Sequence, residues 1–184
     1  MVDAPWKIRR SHISGAAFRS GGGALADYME VVRERVVADG CEVTTEEVSG
    51  VPALVAYRSN WRALSKMHLF TVVAECESVD AGTLEQFTRE ASLLAKERKG
   101  AMRGAQSGVL VIAALVTEYA DEAAKVIAGR PFRQGVGGFA ALVQPAVVDL
   151  TGKSVHSFRG RRIWGAAFAS YLRKKNMLYL PDPR

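Results

Sequence analysis

At 184 residues the chain is long enough to bury roughly 70% of its unfolded surface in one domain without a metal or disulfide staple. Its 48% hydrophobic and 24% charged residues exclude a disordered or fibrous class, and no apolar run reaches the ~18 residues of a membrane-spanning helix. The net charge of +6 is uneven: residues 1–149 carry 17 Lys/Arg against 18 Asp/Glu, whereas residues 150–184 carry 8 Lys/Arg against Asp182 alone.

Residues 1–22 mix Lys7, Arg9, Arg10 and Arg19 with glycine and read as a loosely held arm before a single domain over 23–184. The arm lacks the apolar core of a secretory signal, so a cytoplasmic protein is expected. The first helix is predicted over Ala24–Asp39, because Leu25, Tyr28, Met29, Val32 and Val36 share one stripe and Gly40 sits at the capping position. Strands over Cys41–Val48 and Val51–Arg58 flank Ser49-Gly50, a hairpin signal. Ser59–Lys66 reads as a polar loop carrying Trp61.

The stretch Met67–Val116 carries the clearest pattern. An apolar, β-branched run (Met67–Cys76) precedes helical spacing of Leu84, Phe87, Ala91, Leu94 and Ala95 between Asp80 and Lys99. Val109–Val116 is apolar at every position, the signature of a buried strand. Strand, crossover helix and strand imply a parallel pair, with Val72 and Val111 buried in it. Further on, a short helix is expected over Glu118–Ala128 with Tyr119, Ala123, Val126 and Ile127 inward, then a loop over Arg130–Gly138. Strands follow over Phe139–Leu150, with Pro145 implying a bulge or an edge, and over Lys153–Phe158. A last helix covers Arg161–Lys175 with Trp164, Phe168, Tyr171 and Leu172 inward. The expected class is α/β, a single mixed sheet in the order α-β-β-β-α-β-α-β-β-α.

That order resembles the core of the restriction-endonuclease-like superfamily, the PD-(D/E)xK nucleases, whose α-β-β-β-α-β core would fall on residues 24–116. The resemblance implies an acid on the second core strand and Glu/Asp-x-Lys on the third. Here the second strand, VPALVAYR, has no acid, and the third ends Glu75-Cys76-Glu77 with glutamate where lysine is expected.

Glu75 and Glu77 are spaced to share one face of a strand and could hold Mg²⁺ if the protein were a nuclease, but no lysine or histidine follows closely to activate water. Otherwise no catalytic residue, metal or cofactor is assigned. Cys41 and Cys76 stand alone, without zinc spacing, and read as reduced structural thiols. Among His12, His68 and His156 no pair has metal spacing, and His68 reads as a core histidine. Ser20-Gly21-Gly22-Gly23 precedes a helix but lacks a dinucleotide fingerprint. Anion-binding candidates are Arg130 and Arg133, in a glycine-rich loop, and Arg161, Arg162, Arg173 and Lys174 in the basic C-terminal segment. The sequence therefore favours a non-catalytic module binding DNA or RNA through its C-terminal surface. The rivals are a metal-dependent nuclease and a protein-binding adaptor or homodimeric assembly module.

Overall fold

The computed structural model describes residues 23–62, 65–100, 107–130, 132–136, 139–160 and 166–184. The N-terminal arm, Arg161, Arg162 and Trp164 lie outside the described residues. Helix α1 (Ala24–Ala38) leads into an antiparallel meander of β1 (Glu42–Val48), β2 (Val51–Arg62) and β3 (Ser65–Glu75). A two-residue strand β4 (Ser78–Val79) precedes α2 (Ala81–Gly100) and β5 (Ser107–Thr117). Then come β6 (Tyr119–Ala120), α3 (Glu122–Ala128), β7 (Phe132–Val136), β8 (Phe139–Asp149), β9 (Ser154–Ser157) and α4 (Ala166–Tyr179).

Seven strands form one mixed sheet in the order β1-β2-β3-β5-β8-β7, with β9 also on β8. The parallel pair expected from the Met67–Val116 pattern is present: Phe70 lies opposite Val111 and Val72 opposite Ala113, and Val72 and Val111 are fully buried. β8 extends the parallel run by pairing Val109–Thr117 with Ala141–Asp149. Its other edge is shared end to end by β7, opposite 139–143, and β9, opposite 146–149.

Side-chain alternation splits the core in two, because successive residues of a strand point to opposite faces. Val55, Phe70, Val72, Val111, Leu115 and Val147 meet Leu84, Phe87 and Ala91 of α2 and Ala124 and Ala128 of α3 on one face. Leu54, Leu69, Val73, Ile112, Val116 and Val148 meet Tyr28, Val32 and Val36 of α1 and Tyr171 and Leu172 of α4 on the other. β3 and β5 are apolar nearly throughout because helices cover both of their faces.

Local signals place the turns. Ser49 and Gly50 both take positive φ, 57° and 76°, as a two-residue hairpin between right-twisted strands requires. Gly40, at φ 77°, ends α1 in the left-handed region. Asp80 Oδ1 accepts the Thr83 N–H at 2.7 Å at the start of α2, and Asp121 caps α3 through the Ala124 N–H.

Several expectations are corrected. The predicted loop Ser59–Lys66 is the far end of a long β2–β3 hairpin: Asn60 pairs with Met67 and Trp61 with Lys66. Pairing continues there despite polar residues because the outer end of a hairpin needs no second covering face. The predicted loop Arg130–Gly138 contains β7, which hydrogen-bonds back onto β8. Pro145 neither bulges β8 nor marks an edge strand. It lies opposite Ala113 in unbroken register, in the gap between the stretches paired to β7 and to β9. The third helix starts at Glu122, because Tyr119 and Ala120 pair in parallel with Ser78 and Val79. That shift changes its inner face: Ala124 and Ala128 are buried, Ile127 partly so, and Tyr119 and Val126 are exposed. The last helix runs to Tyr179, four residues past the predicted end. No helix among the described residues is long and apolar enough to cross a membrane.

Candidate nucleic-acid interface

One carboxylate joins the basic C-terminal segment to α1 and β2, in addition to the apolar packing of Tyr171 and Leu172. Asp39, at the C-terminal end of α1, accepts hydrogen bonds from Lys175 Nζ at 2.7 and 2.5 Å, from an Arg58 guanidinium N–H and from the Tyr179 hydroxyl. Lys175 also lies 5.6 Å from the Tyr171 ring centre and 5.7 Å from that of Tyr179. Burial alone would raise the Asp39 pKa, but the bonds from Lys175, Tyr179 and Arg58 outweigh it and bring the carboxyl down to about 2. Burial, and then its contacts with Asp39 and Cys41, push the Tyr179 hydroxyl well above the usual phenol range. Arg58 reaches Asn60 Oδ1 at 3.3 Å, and Asn60 Nδ2 donates to the Tyr171 hydroxyl at 3.0 Å. Cys41 Sγ lies 3.5 Å from the Tyr179 oxygen, and burial raises its thiol pKa. Both cysteines are free thiols. One of the C-terminal cations, Lys175, therefore serves folding.

The nominated anion ligands behave differently from Lys175. Lys174 is exposed, and Arg173 is half-buried with Nη1 donating to the Arg159 carbonyl at 3.4 Å. Among the described residues neither has an acidic partner within ion-pair distance. Arg130 is exposed just after α3, and Arg133 lies on β7 opposite Leu142. α3 packs on one face of the sheet and α4 on the other, so Arg130, which follows α3, is not gathered with Arg173 and Lys174 of α4.

Glu75 and Glu77 do not share a strand face, because β3 ends at Glu75 and Glu77 occupies an exposed bend. The Glu77 carbonyl accepts the Thr117 hydroxyl at 2.9 Å. Burial raises the Glu75 pKa, with no cation among the causes of the shift. Among the described residues no group of three or more His, Cys, Asp or Glu side chains could hold a metal ion. His68 is 3% exposed, with Nδ1 2.9 Å from the Tyr57 hydroxyl. Burial, Lys66 and Lys99 lower its pKa.

Two features escape the sequence reading. Across the Thr151-Gly152 turn, Asp149 opposes Ser154 in register, and Ser154 Oγ lies 2.9 Å from His156 Nε2. The spacing Ser-x-His on a strand is the signal that places both side chains on one face. The Asp149 carboxylate is engaged by the Gly152 N–H at 2.7 Å and Lys125 Nζ at 3.1 Å, so the cluster fastens the turn and α3 to β8. A Cβ added at Gly152 would stand 2.7 Å from Asp149 Oδ2, so any other residue there would displace the Asp149 carboxylate. The second feature is Trp61, whose side chain is 73% exposed at the end of β2. A scan against protein-family models, a search of curated proteins and a search of solved structures each return no match to this chain.

Proposed function

We propose that this protein is a non-catalytic α/β module that binds nucleic acid through the basic surface of its C-terminal segment. One observation carries the reading: residues 150–181 contain seven Lys/Arg and no Asp/Glu, and Arg173 and Lys174 meet no acid among the described residues. A helix that mixed signs would gain from intrahelical pairs, whereas this one accepts self-repulsion that a polyanion would relieve. Phosphates are the polyanion that arginine and lysine contact most effectively. Arg161 and Arg162 extend the same charge in the sequence.

The element order over residues 24–117 also supports the proposed likeness to the restriction-endonuclease-like core, once the two-residue β4 is set aside. The acid-free interior of β2 and the separation of Glu75 from Glu77 weigh against metal-dependent cleavage by such a core.

The test is binding of DNA and RNA at two salt concentrations, with and without Mg²⁺ or Mn²⁺. Affinity should fall steeply with salt, with a log–log slope near ~0.9 per duplex phosphate neutralised. Absence of binding at about 50 mM salt, where phosphate contacts are strongest, would overturn the reading in favour of an adaptor role. Metal-dependent cleavage lost in Glu75→Ala/Glu77→Ala would overturn it in favour of a nuclease.

A further inference from the structure

We propose that the cleft between α1 and the chain that follows α4 binds a short peptide with free ends, its amine beside Asp27 and Asp182 and its carboxylate on Arg35. The site is separate from the nucleic-acid reading above and shares no residue with it.

Helical spacing builds one wall. Ala24, Asp27, Tyr28, Val31 and Arg35 recur every three or four residues and form one stripe along α1. Pro181–Arg184 form the opposite wall, and Leu150, just past β8, joins them. Two hydrogen bonds hold the second wall in place. The Tyr28 hydroxyl donates to the Pro181 carbonyl at 2.7 Å, and Arg35 Nη1 donates to the Leu178 carbonyl at 2.9 Å. Between these points Tyr179 and Leu180 are buried and anchor the chain in the core. Leu178 stands level with Arg35 and Pro181 with Tyr28, so this chain runs antiparallel to α1 and brings Asp182 toward Asp27. The cleft measures about 470 Å³, within the range of small-molecule sites.

Charges of both signs line it without neutralising one another. Asp27 and Asp182 are exposed, and among the described residues neither has a cation within ion-pair distance. Arg35 and Arg184 likewise meet no acid there. Arg35 gives one N–H to Leu178, and its fork has further donors for a carboxylate. At the other end two acids outnumber Arg184, which leaves that end net negative. Among the described residues no third acid, Cys or His joins them, so they suit an ammonium better than a metal ion. Val31, Leu150, Pro181 and Pro183 supply apolar surface for a side chain between the charged ends.

Length selects the ligand. Asp27 and Arg35 lie eight positions apart on α1, or ~12 Å along its axis. A free amino acid carries its amine and carboxylate on one carbon and cannot reach both. Three extended residues span ~10 Å, and the Asp and Arg side chains close the remainder.

The test titrates the full chain calorimetrically with the tripeptide Ala-Phe-Ala, its N-acetyl and C-amide forms, and free phenylalanine. Wild type should bind Ala-Phe-Ala with a Kd of about 1 mM or tighter, and the other three about tenfold more weakly. Arg35→Gln should bind the free and amidated peptides equally while still preferring the free amine. Arg35→Lys, which keeps the charge, should retain most of the preference for the free carboxylate. Asp27→Asn/Asp182→Asn should bind the free and acetylated peptides equally. Its melting temperature should stay within about 2 °C of wild type, because both acids are exposed. Absence of binding at about 10 mM tripeptide overturns the inference. So does equal affinity for the free and blocked peptides in wild type, for phenylalanine and the tripeptide, or discrimination that survives in both the Arg35→Gln and the Asp27→Asn/Asp182→Asn variants. None of these outcomes bears on the nucleic-acid reading, because Arg173 and Lys174 are unchanged throughout.

Discussion

Asp39 shows how one side chain can fix the position of a whole helix. Its carboxylate is reached by Lys175 and Tyr179 from α4 and by Arg58 from β2. Replacing it with Asn would leave two partly buried cations without a counter-charge, and should cost about 3 kcal/mol, lowering the melting temperature by about 6–12 °C. Acid gives an independent check. The folded carboxyl titrates at about 2 against 3.8 for the free side chain. The depressed folded value means that the stabilisation, about 2 kcal/mol, is fully present above pH 3.8 and is lost as pH falls toward 2. Wild-type stability measured by denaturant midpoint should drop across that window, and the drop should be smaller in Asp39→Asn. Ser92 makes the opposite case. Its hydroxyl is fully buried in α2 with no hydrogen-bond partner among the described residues. Ser92→Ala removes an uncompensated polar group and raises helix propensity, so it should stabilise by about 1 kcal/mol. A loss of that size would instead show that the hydroxyl has a partner.

At the scale of elements, the central unit is β3, α2 and β5, with β8 extending it. Phe87 is 1% exposed beneath α2 and belongs to the core face shared with Phe70 and Val111. Phe87→Ala should open a cavity there and cost about 3–5 kcal/mol, read as a lower denaturant midpoint with an unchanged m-value. α2 is also tied to the antiparallel half of the sheet by the Arg98–Glu46 ion pair and by Glu90, which accepts the Ser49 N–H at 2.7 Å. These surface-side ties orient the helix, and the apolar face supplies most of the energy.

Across the whole molecule, the positive charge of the C-terminal segment divides by function. Lys175 is fastened to Asp39, whereas Lys174 is exposed and Arg173 reaches only a backbone carbonyl. Two variants separate these roles. Lys175→Gln should lower the melting temperature, because it breaks the Asp39 centre. Arg173→Gln/Lys174→Gln should leave melting nearly unchanged and reduce the salt slope of nucleic-acid binding by about 2, one for each lost phosphate contact. Equal effects of both variants on melting and on binding would show that the charge serves folding alone.

Periodicity made the α/β class, the parallel pair and the presence of four helices legible, because both core strands are apolar at nearly every position, but it misplaced the inner face of α3 and missed β7 and the outer end of the β2–β3 hairpin, where apolar residues are sparse. Turn chemistry did the same for Ser49-Gly50 and Gly40, where the backbone adopts positive φ. Contacts between residues distant in sequence were not legible. Asp39 is 136 residues from Lys175 and 140 from Tyr179, and nothing local to any of them announces that they meet. Trp61 looked like part of a loop because its neighbours are polar, and only cross-strand pairing to Lys66 places it in a strand. Glu75 and Glu77 appeared to share a face because strand spacing was assumed to continue past Glu75, where the chain in fact leaves the sheet. Local sequence determines which elements form, since propensity and amphipathic period act over a few residues. Which side chains stay free for a ligand is decided by tertiary packing, since a cation is available only where no distant acid folds back upon it.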